Sequence, residues 1–250
     1  MTIPNIVIAG FTGDRSGSME STKGSAGEGL YDWIESQKKS IQDNSQIGKC
    51  LVSTFDDQRE IKINAEKFSD INVTKEICVE WLQPRGMTKL YDSAIADIDA
   101  LVQIKEDFIK NMPRSLKNIN PKIVIVWACM TDGADNSSMS TVTDFKNKVE
   151  WAKTNHDMKC FFLAANQDAV MTGSRYGFSP DYSLTFGANY QQTQNAMRSV
   201  TQVMREVSQN SNTLGFTQMM RTVSAATDND NFDVDQTITP NTMLRQPSVY

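Results

Sequence analysis

Two apolar runs constrain this chain most, because each breaks off into acidic and hydroxyl residues rather than into an ordinary turn. Ile6 to Thr12 reads as a buried strand that breaks at Gly13 into Asp14, Ser16 and Ser18, alternating with Arg15 and Gly17. Ile123 to Met130 reads as a second buried strand, ending at Thr131-Asp132-Gly133. A carboxylate and two hydroxyls on a turn at a strand's carboxyl end suit Mg²⁺, a hard ion that takes oxygen ligands in an octahedron and keeps several waters. In an open α/β sheet, strand ends of this kind lie side by side at the crevice where ligands bind. A third stretch, Gln83 to Ser93, places Thr88 in a glycine-containing loop just before a helical pattern, where its hydroxyl could reach the same ion.

The three segments, Asp14-Arg15-Ser16-Gly17-Ser18-Met19, Gly86-Met87-Thr88-Lys89-Leu90 and Thr131-Asp132-Gly133, stand in the order of a known motif. With them the chain resembles the von Willebrand factor A family and its metal-ion-dependent adhesion site. The resemblance runs from Pro4 to Asn210 and implies one such domain over residues 1–210. It implies a Rossmann-like α/β fold, a central, mostly parallel sheet with one antiparallel edge strand and helices on both faces. It further implies that Ser16, Ser18 and Thr88 touch Mg²⁺ (Mn²⁺ or Ca²⁺ in its place), with Asp14 and Asp132 binding directly or through water. Two arrangements are implied at Thr88, one with the hydroxyl on the ion and one with water between. One departure stands out: Gly10 and Gly13 interrupt the first strand where bulkier residues are expected.

Length leaves room for one α/β domain with a large core: the chain has 250 residues, 39% of them hydrophobic and 22% charged. A formal net charge of −5 supplies no basic stripe for phosphates, which argues against nucleic acid or a membrane surface as partner. Cys50, Cys78, Cys129 and Cys160 are spread singly with no C-x-x-C spacing, so neither zinc nor a redox pair is indicated. They read as buried thiols in a reducing compartment. The first residues lack a basic leader, and no stretch approaches the ~20 apolar residues of a membrane span. These absences give a cytoplasmic expectation.

In chain order, Glu28 to Asp43 is expected to be the first crossover helix, with Leu30, Trp33, Ile34, Gln37 and Ile41 on one face. Gly48 to Phe55 and Arg59 to Ile63, joined at Asp56-Asp57, read as a hairpin. Asn72 or Thr74 could cap a helix containing Ile77, Val79 and Trp81. Lys89 to Lys110 is a stronger helix, and Pro113 to Pro121 punctuates the chain. Helix Thr143–Asn155, strand Met158–Ala165, helix Asn166–Tyr176, strand Ser183–Phe186 and helix Gln191–Asn210 follow, an alternation that makes a parallel sheet. Residues 211–250 show no sustained period and read as a polar tail, disordered or extended. Within it, the acidic run Asp228 to Asp235 lacks the glycine and final Glu of an EF-hand loop.

Asp135, Asn136, Ser137 and Ser138 fit either the rim of a metal site or a helix-entry loop, and Asp56-Asp57 reads as a hairpin turn. His156, the only histidine, follows a helix end, where it suits the dipole better than catalysis. Two functions survive. The first is a metal-dependent protein-interaction module, an adaptor or scaffold, that binds an Asp or Glu carboxylate of a partner. Hydroxyl ligands leave the ion much of its charge and an open position. The second is a Mg²⁺-dependent phosphohydrolase or phosphotransferase, but in the Asp-x-Asp loop of that chemistry the second acid serves as acid/base, and here that position is Ser16.

Overall fold

A computed structural model describes residues 5–22, 24–209 and 214–225. Its strands are β1 (Ile6–Asp14), β2 (Ile47–Phe55), β3 (Arg59–Lys67), β4 (Ile123–Thr131), β5 (Lys159–Ala165) and β6 (Ser183–Phe186), in one sheet of order β3-β2-β1-β4-β5-β6. All neighbours are parallel except β2 and β3, the hairpin. β1 lies between β2 and β4, so the two strands that carry Asp14 and Asp132 are adjacent, with Gly13 beside Met130.

Alternation along the strands separates two cores. Val7, Ala9 and Phe11 of β1 and Val126, Ala128 and Met130 of β4 face one side. There they meet α1 (Ser25–Asp43), α2 (Lys75–Trp81), α7 (Tyr190–Gln209) and α8 (Gln218–Ala225). Ile8 of β1 and Ile125, Trp127 and Cys129 of β4 face the other side, against α3 (Leu90–Asn111), α5 (Val142–His156) and α6 (Ala169–Arg175). A period of two with both faces covered is what buried parallel strands require.

Gly10 and Gly13 have a packing cause. A Cβ on Gly10 would stand 2.7 Å from Leu101 Cδ1 and 3.0 Å from Trp127, and one on Gly13 would stand 2.6 Å from Leu82 Cδ2. Neighbouring side chains fill the places where bulkier residues were expected. The first strand packs well because these positions are empty.

Helix boundaries follow capping. Thr74 caps α2 by accepting from Ile77 N, and Thr141 with Asp144 forms a capping box that opens α5. The punctuating stretch after Pro113 contains a short helix, α4 (Arg114–Ile119), which buries no residue and so leaves no periodic trace. α1 begins earlier than its apolar pattern, at Ser25, because Ala26, Gly27 and Gly29 are buried in close contact with α2 and α7.

The expectation of a disordered or extended tail from residue 211 needs correction over its described part. Phe216, Met220 and Val223 are buried, α8 lies against α7 and β6, and Arg221 donates to the carbonyls of Ser183 (2.6 Å) and Pro180 (2.8 Å). Three apolar side chains and one arginine fix a helix whose composition is otherwise polar. Residues 226–250, with the acidic run, lie outside the described residues. Among those described, no helix is long and apolar enough to cross a membrane.

Candidate metal centre

The three sequence segments converge at the carboxyl ends of β1 and β4. Asp14, the last residue of β1, is fully buried. Its Oδ1 accepts from Ser16 N at 2.7 Å and its Oδ2 from Thr131 Oγ1 at 2.6 Å, so both oxygens are held. Thr131 also bonds across the turn it begins, to Gly133 O and from Gly133 N, both at 3.2 Å. Ser16 Oγ and Ser18 Oγ stand 3.1 Å apart, and Ser18 Oγ donates to Asp132 Oδ1 at 2.6 Å.

Thr88 enters from the loop before α3. A Cβ built on Gly133 would lie 3.5 Å from Thr88 Oγ1 and 3.6 Å from Ser18 Oγ, so all three loops face one point. Asn136 fixes the threonine backbone from both sides: Thr88 N donates to Asn136 Oδ1 at 2.8 Å, and Asn136 N donates to Thr88 O at 3.0 Å. Thr88 is only 4% exposed, yet among the described residues no hydrogen bond engages its hydroxyl. The hydroxyl oxygen itself keeps access to solvent and is turned toward the Gly133 turn that Ser18 Oγ also faces. The donor set is all oxygen, two carboxylates and three hydroxyls, which fits a hard divalent ion and not a thiophilic one. Among the described residues no cluster of three His, Cys, Asp or Glu could hold a metal.

Charge supports the same reading. Burial pushes the Asp14 carboxyl up to about 6, against the lowering hydrogen bonds from Thr131 and Ser16, and the charge of Asp132 adds to the rise. Burial also raises Asp132, although the Ser18 bond opposes it. Two acidic groups, both raised by burial and side by side with no basic partner among the described residues, are short of positive charge.

The loop that carries Ser16 and Ser18 is clamped from outside the site. Arg15 N donates to Phe55 O, Arg85 N to Arg15 O and Gly17 N to Gly86 O. Arg15, 3% exposed, stands in ion-pair contact with Asp56 at 3.0 Å, off the hydrogen-bond axis, and binds Glu60; Arg85 reaches the same two carboxylates. Burial alone would raise Asp56, but the bonds from Arg85 and Gln58 and the charge of Arg15 hold it below the usual carboxylate range. Asp56 therefore both turns the hairpin and anchors two arginines. Gly86, at φ 67°, permits the crossing: a Cβ there would lie 2.5 Å from Asp57 Oδ1.

The residues after Asp132 divide between rim and support. Asp135 accepts from Tyr91 N and Ser138, Ser138 Oγ accepts from Asp92 N, and Asp92 accepts in return from Met139 N and Ser140 N. They lace the β4–α5 loop to the start of α3. His156 lies at the far end of α5, where its carbonyl accepts from Lys105.

Sequence reasoning missed three supports. In the sequence Thr131 reads only as part of a strand end, Arg15 carries no role, and Asn136 fits either a rim or a helix-entry loop without showing its hold on Thr88. It also missed a buried network beneath the site. Asp97 of α3 is 1% exposed and accepts from Thr12 (2.6 Å), from Ser53 and from Arg59 (2.9 and 2.5 Å), while Trp127 donates to Thr12 at 2.8 Å. On a helix, Asp97 reads as one more polar position. Its place three residues after Ala94 and four before Leu101, both buried, was the available signal.

The strand order and the helices on both faces are those of the von Willebrand factor A fold. The chain resembles the vWF domain of the type V pili tip protein Mfa5 from Porphyromonas gingivalis (TM-score 0.54, 9% identity, 84% of this chain and 98% of that one). It also resembles proximal thread matrix protein 1 from the mussel byssus (TM-score 0.52, 12% identity, 81% of this chain). The chain spans 47% of the length of that matrix protein. No protein-family model matches the sequence, and no curated protein matches it. At such identities the likeness is one of fold.

Proposed function

We propose that the three loops hold a divalent cation, Mg²⁺ or in its place Mn²⁺ or Ca²⁺, and that the loaded site binds an Asp or Glu carboxylate of a protein partner. The observation that carries this is the convergence of the three loops: Ser16 Oγ and Ser18 Oγ stand 3.1 Å apart, Ser18 Oγ donates to Asp132 Oδ1 at 2.6 Å, and Thr88 Oγ1 and Ser18 Oγ face the same point at Gly133. Ser16, Ser18 and Thr88 would supply neutral oxygens, and Asp14 and Asp132 would stand on the ion directly or through water. When bound, the ion supplies a Lewis-acidic position for an incoming carboxylate. The thread matrix and pilus tip proteins of like fold are compatible with an adaptor or scaffold role.

Hydrolysis is the weaker reading. The next acidic position of a phosphotransferase loop is Ser16, and the single histidine is at the far end of α5. Four cysteines, all buried and free, support a cytoplasmic setting.

Titration calorimetry with Mn²⁺ tests the site. Asp14→Ala should weaken Mn²⁺ binding more than tenfold, whereas Thr88→Ala, which removes a ligand but no charge, should change it about threefold or less. Equal affinity in wild type and Asp14→Ala refutes the metal reading. Turnover of a generic phosphoester that requires Mg²⁺ and Asp14 would favour the enzyme.

A further inference from the structure

A cleft of about 730 Å³ opens at the end of the molecule away from the metal centre, where α1, the start of β2, the end of β3, the end of α3 and α4 meet. Ile47 begins β2 and pairs with Ile6, while Phe55 at the other end of the strand pairs with Asp14. At about 3.3 Å per residue the cleft stands roughly 26 Å from Asp14, so it lies outside the site already described.

Its lining is mostly apolar: Ile41 of α1, Ile47, Phe68, Phe108 and Leu116. Ile41 and Phe68 are buried and form the floor. Gly48 lets them meet across the start of β2, since a Cβ there would collide with Ile41 Cδ1 and lie 2.8 Å from Phe68 Cδ2. The outer wall is α4, which buries no residue of its own and ends in exposed Ile119. Small-molecule sites are clefts of about 300–1,000 Å³ with an apolar lining and a few polar groups that orient the ligand.

The charged groups of this cleft have one sign. Lys38 and Lys67 line it, and no Asp or Glu does. Lys38 Nζ donates to Ile71 O at 3.1 Å and stands 3.6 Å from the exposed carboxylate of Glu35. The Lys67 side chain has neither an ion pair nor a hydrogen bond among the described residues. Lys49 stands opposite Lys67 in the β2–β3 ladder, and its ammonium donates to Ala65 O at 2.7 Å with no acidic partner. Like charges directly opposite each other destabilise a ladder, and an anion beside them offsets that. α4 adds Arg114 and Lys117 and no acid. In a chain with a formal net charge of −5, the walls of this cleft are positive.

We propose that the cleft is a second binding site, for a small monocarboxylic acid with an apolar chain, its carboxylate at Lys67 and its chain between Leu116 and the Ile41–Phe68 floor. An uncharged guest leaves Lys67 unanswered, and a multiply charged one sets charge against the apolar floor. A bound chain also gives Leu116 the apolar contact that α4 lacks, so α4 is the element whose surroundings change on binding. The site is independent of the metal reading.

The test uses the full chain in chelator, which leaves the metal centre no cation to draw a carboxylate, with octanoate as probe and octanol as its uncharged counterpart. Titration calorimetry should find one octanoate site and at least tenfold weaker binding of octanol. Lys67→Gln, at an exposed position, should weaken octanoate about tenfold, the worth of one charge-assisted contact. Leu116→Asp sets a like charge in the wall. Because α4 buries nothing, the ligand-free variant should melt with wild type while octanoate binding is lost. Amide resonances of residues 114–119 should shift with octanoate in wild type and in Asp14→Ala alike. Absence of binding, equal affinity for octanoate and octanol, or octanoate binding that ignores either variant overturns the proposal. Lys67-dependent sedimentation with phosphatidylglycerol vesicles in place of octanoate binding overturns it in favour of a lipid surface.

Discussion

Replacing Asp14 by Asn should stabilise the metal-free protein at neutral pH and remove its response to divalent ions. Burial raises this carboxyl from 3.8 to about 6. At about 1.4 kcal/mol per unit, keeping it ionised in the folded chain costs about 3 kcal/mol above pH 6. The folded chain therefore holds a proton between about pH 6 and 3.8 where the unfolded chain has lost it. This contribution makes stability fall as pH rises through that window, and the full deficit persists above it. Asparagine is neutral, its Oδ1 can still accept from Ser16 N, and its amide can donate to Thr131 Oγ1, which keeps its own bond to Gly133 O. Asp97, also raised by burial, contributes with the same sign in both proteins and cancels in the difference, whereas Asp132, whose charge adds to the Asp14 rise, loses that repulsion in the variant, which favours Asp14→Asn in the same direction. In chelator at pH 7.5, calorimetric melting should place Asp14→Asn above wild type by about 6–12 °C, at roughly 2–4 °C per kcal/mol. The gap should close by about pH 4, and added Mg²⁺ should raise the wild-type midpoint alone. Equal midpoints in chelator at pH 7.5, or a gap that ignores pH, would refute the assignment of an uncompensated buried charge.

Urea unfolding of Asp97→Ala should show a loss of about 3–5 kcal/mol, since Arg59, Thr12 and Ser53 lose their common acceptor, and adding Arg59→Met should recover part of it in a double-mutant cycle. Gly27→Ala should cost more than Gly10→Ala: the new methyl meets the Val79 backbone at 2.4 Å in the first case and a rotatable Leu101 methyl at 2.7 Å in the second. Thermal melts should place Gly10→Ala within the about 1–3 kcal/mol of ordinary overpacking and Gly27→Ala at or beyond its upper end. Met220→Ala should cost about 2 kcal/mol or more and the exposed Thr222→Ala less than about 0.5 kcal/mol; equal melts for the pair would mean that α8 is not docked.

The mostly parallel sheet, its hairpin and both strands that lead into the candidate site were legible because buried parallel strands write themselves as apolar runs, and because a turn rich in Asp and Ser at a strand's end is chemically unusual. α4 was not legible, since a helix that buries nothing has no period to read. α8 was missed because Phe216, Met220 and Val223 are too few to lift a polar stretch above its composition. At the site, residues on a linear motif could be named from spacing, whereas Thr131, Asn136 and Arg15 act through partners distant in sequence. Asp14 to Thr131 spans 117 positions and Thr88 to Asn136 spans 48.

α8 has a consequence for how this protein meets copies of itself. A terminal strand offers unpaired backbone groups on which another chain can build. Along β6, the Ser183 carbonyl is taken by Arg221 and the Gly187 N–H by Ser224, so α8 seals that border. At the opposite border, β3 is guarded differently, by alternating charge at Arg59, Glu60, Lys62, Glu66 and Lys67 and by two breaks in its register with β2. Neither border invites continuation of the sheet. If α8 detached, the β6 border alone would open, and with it a route to strand-by-strand polymerisation that the folded chain otherwise denies.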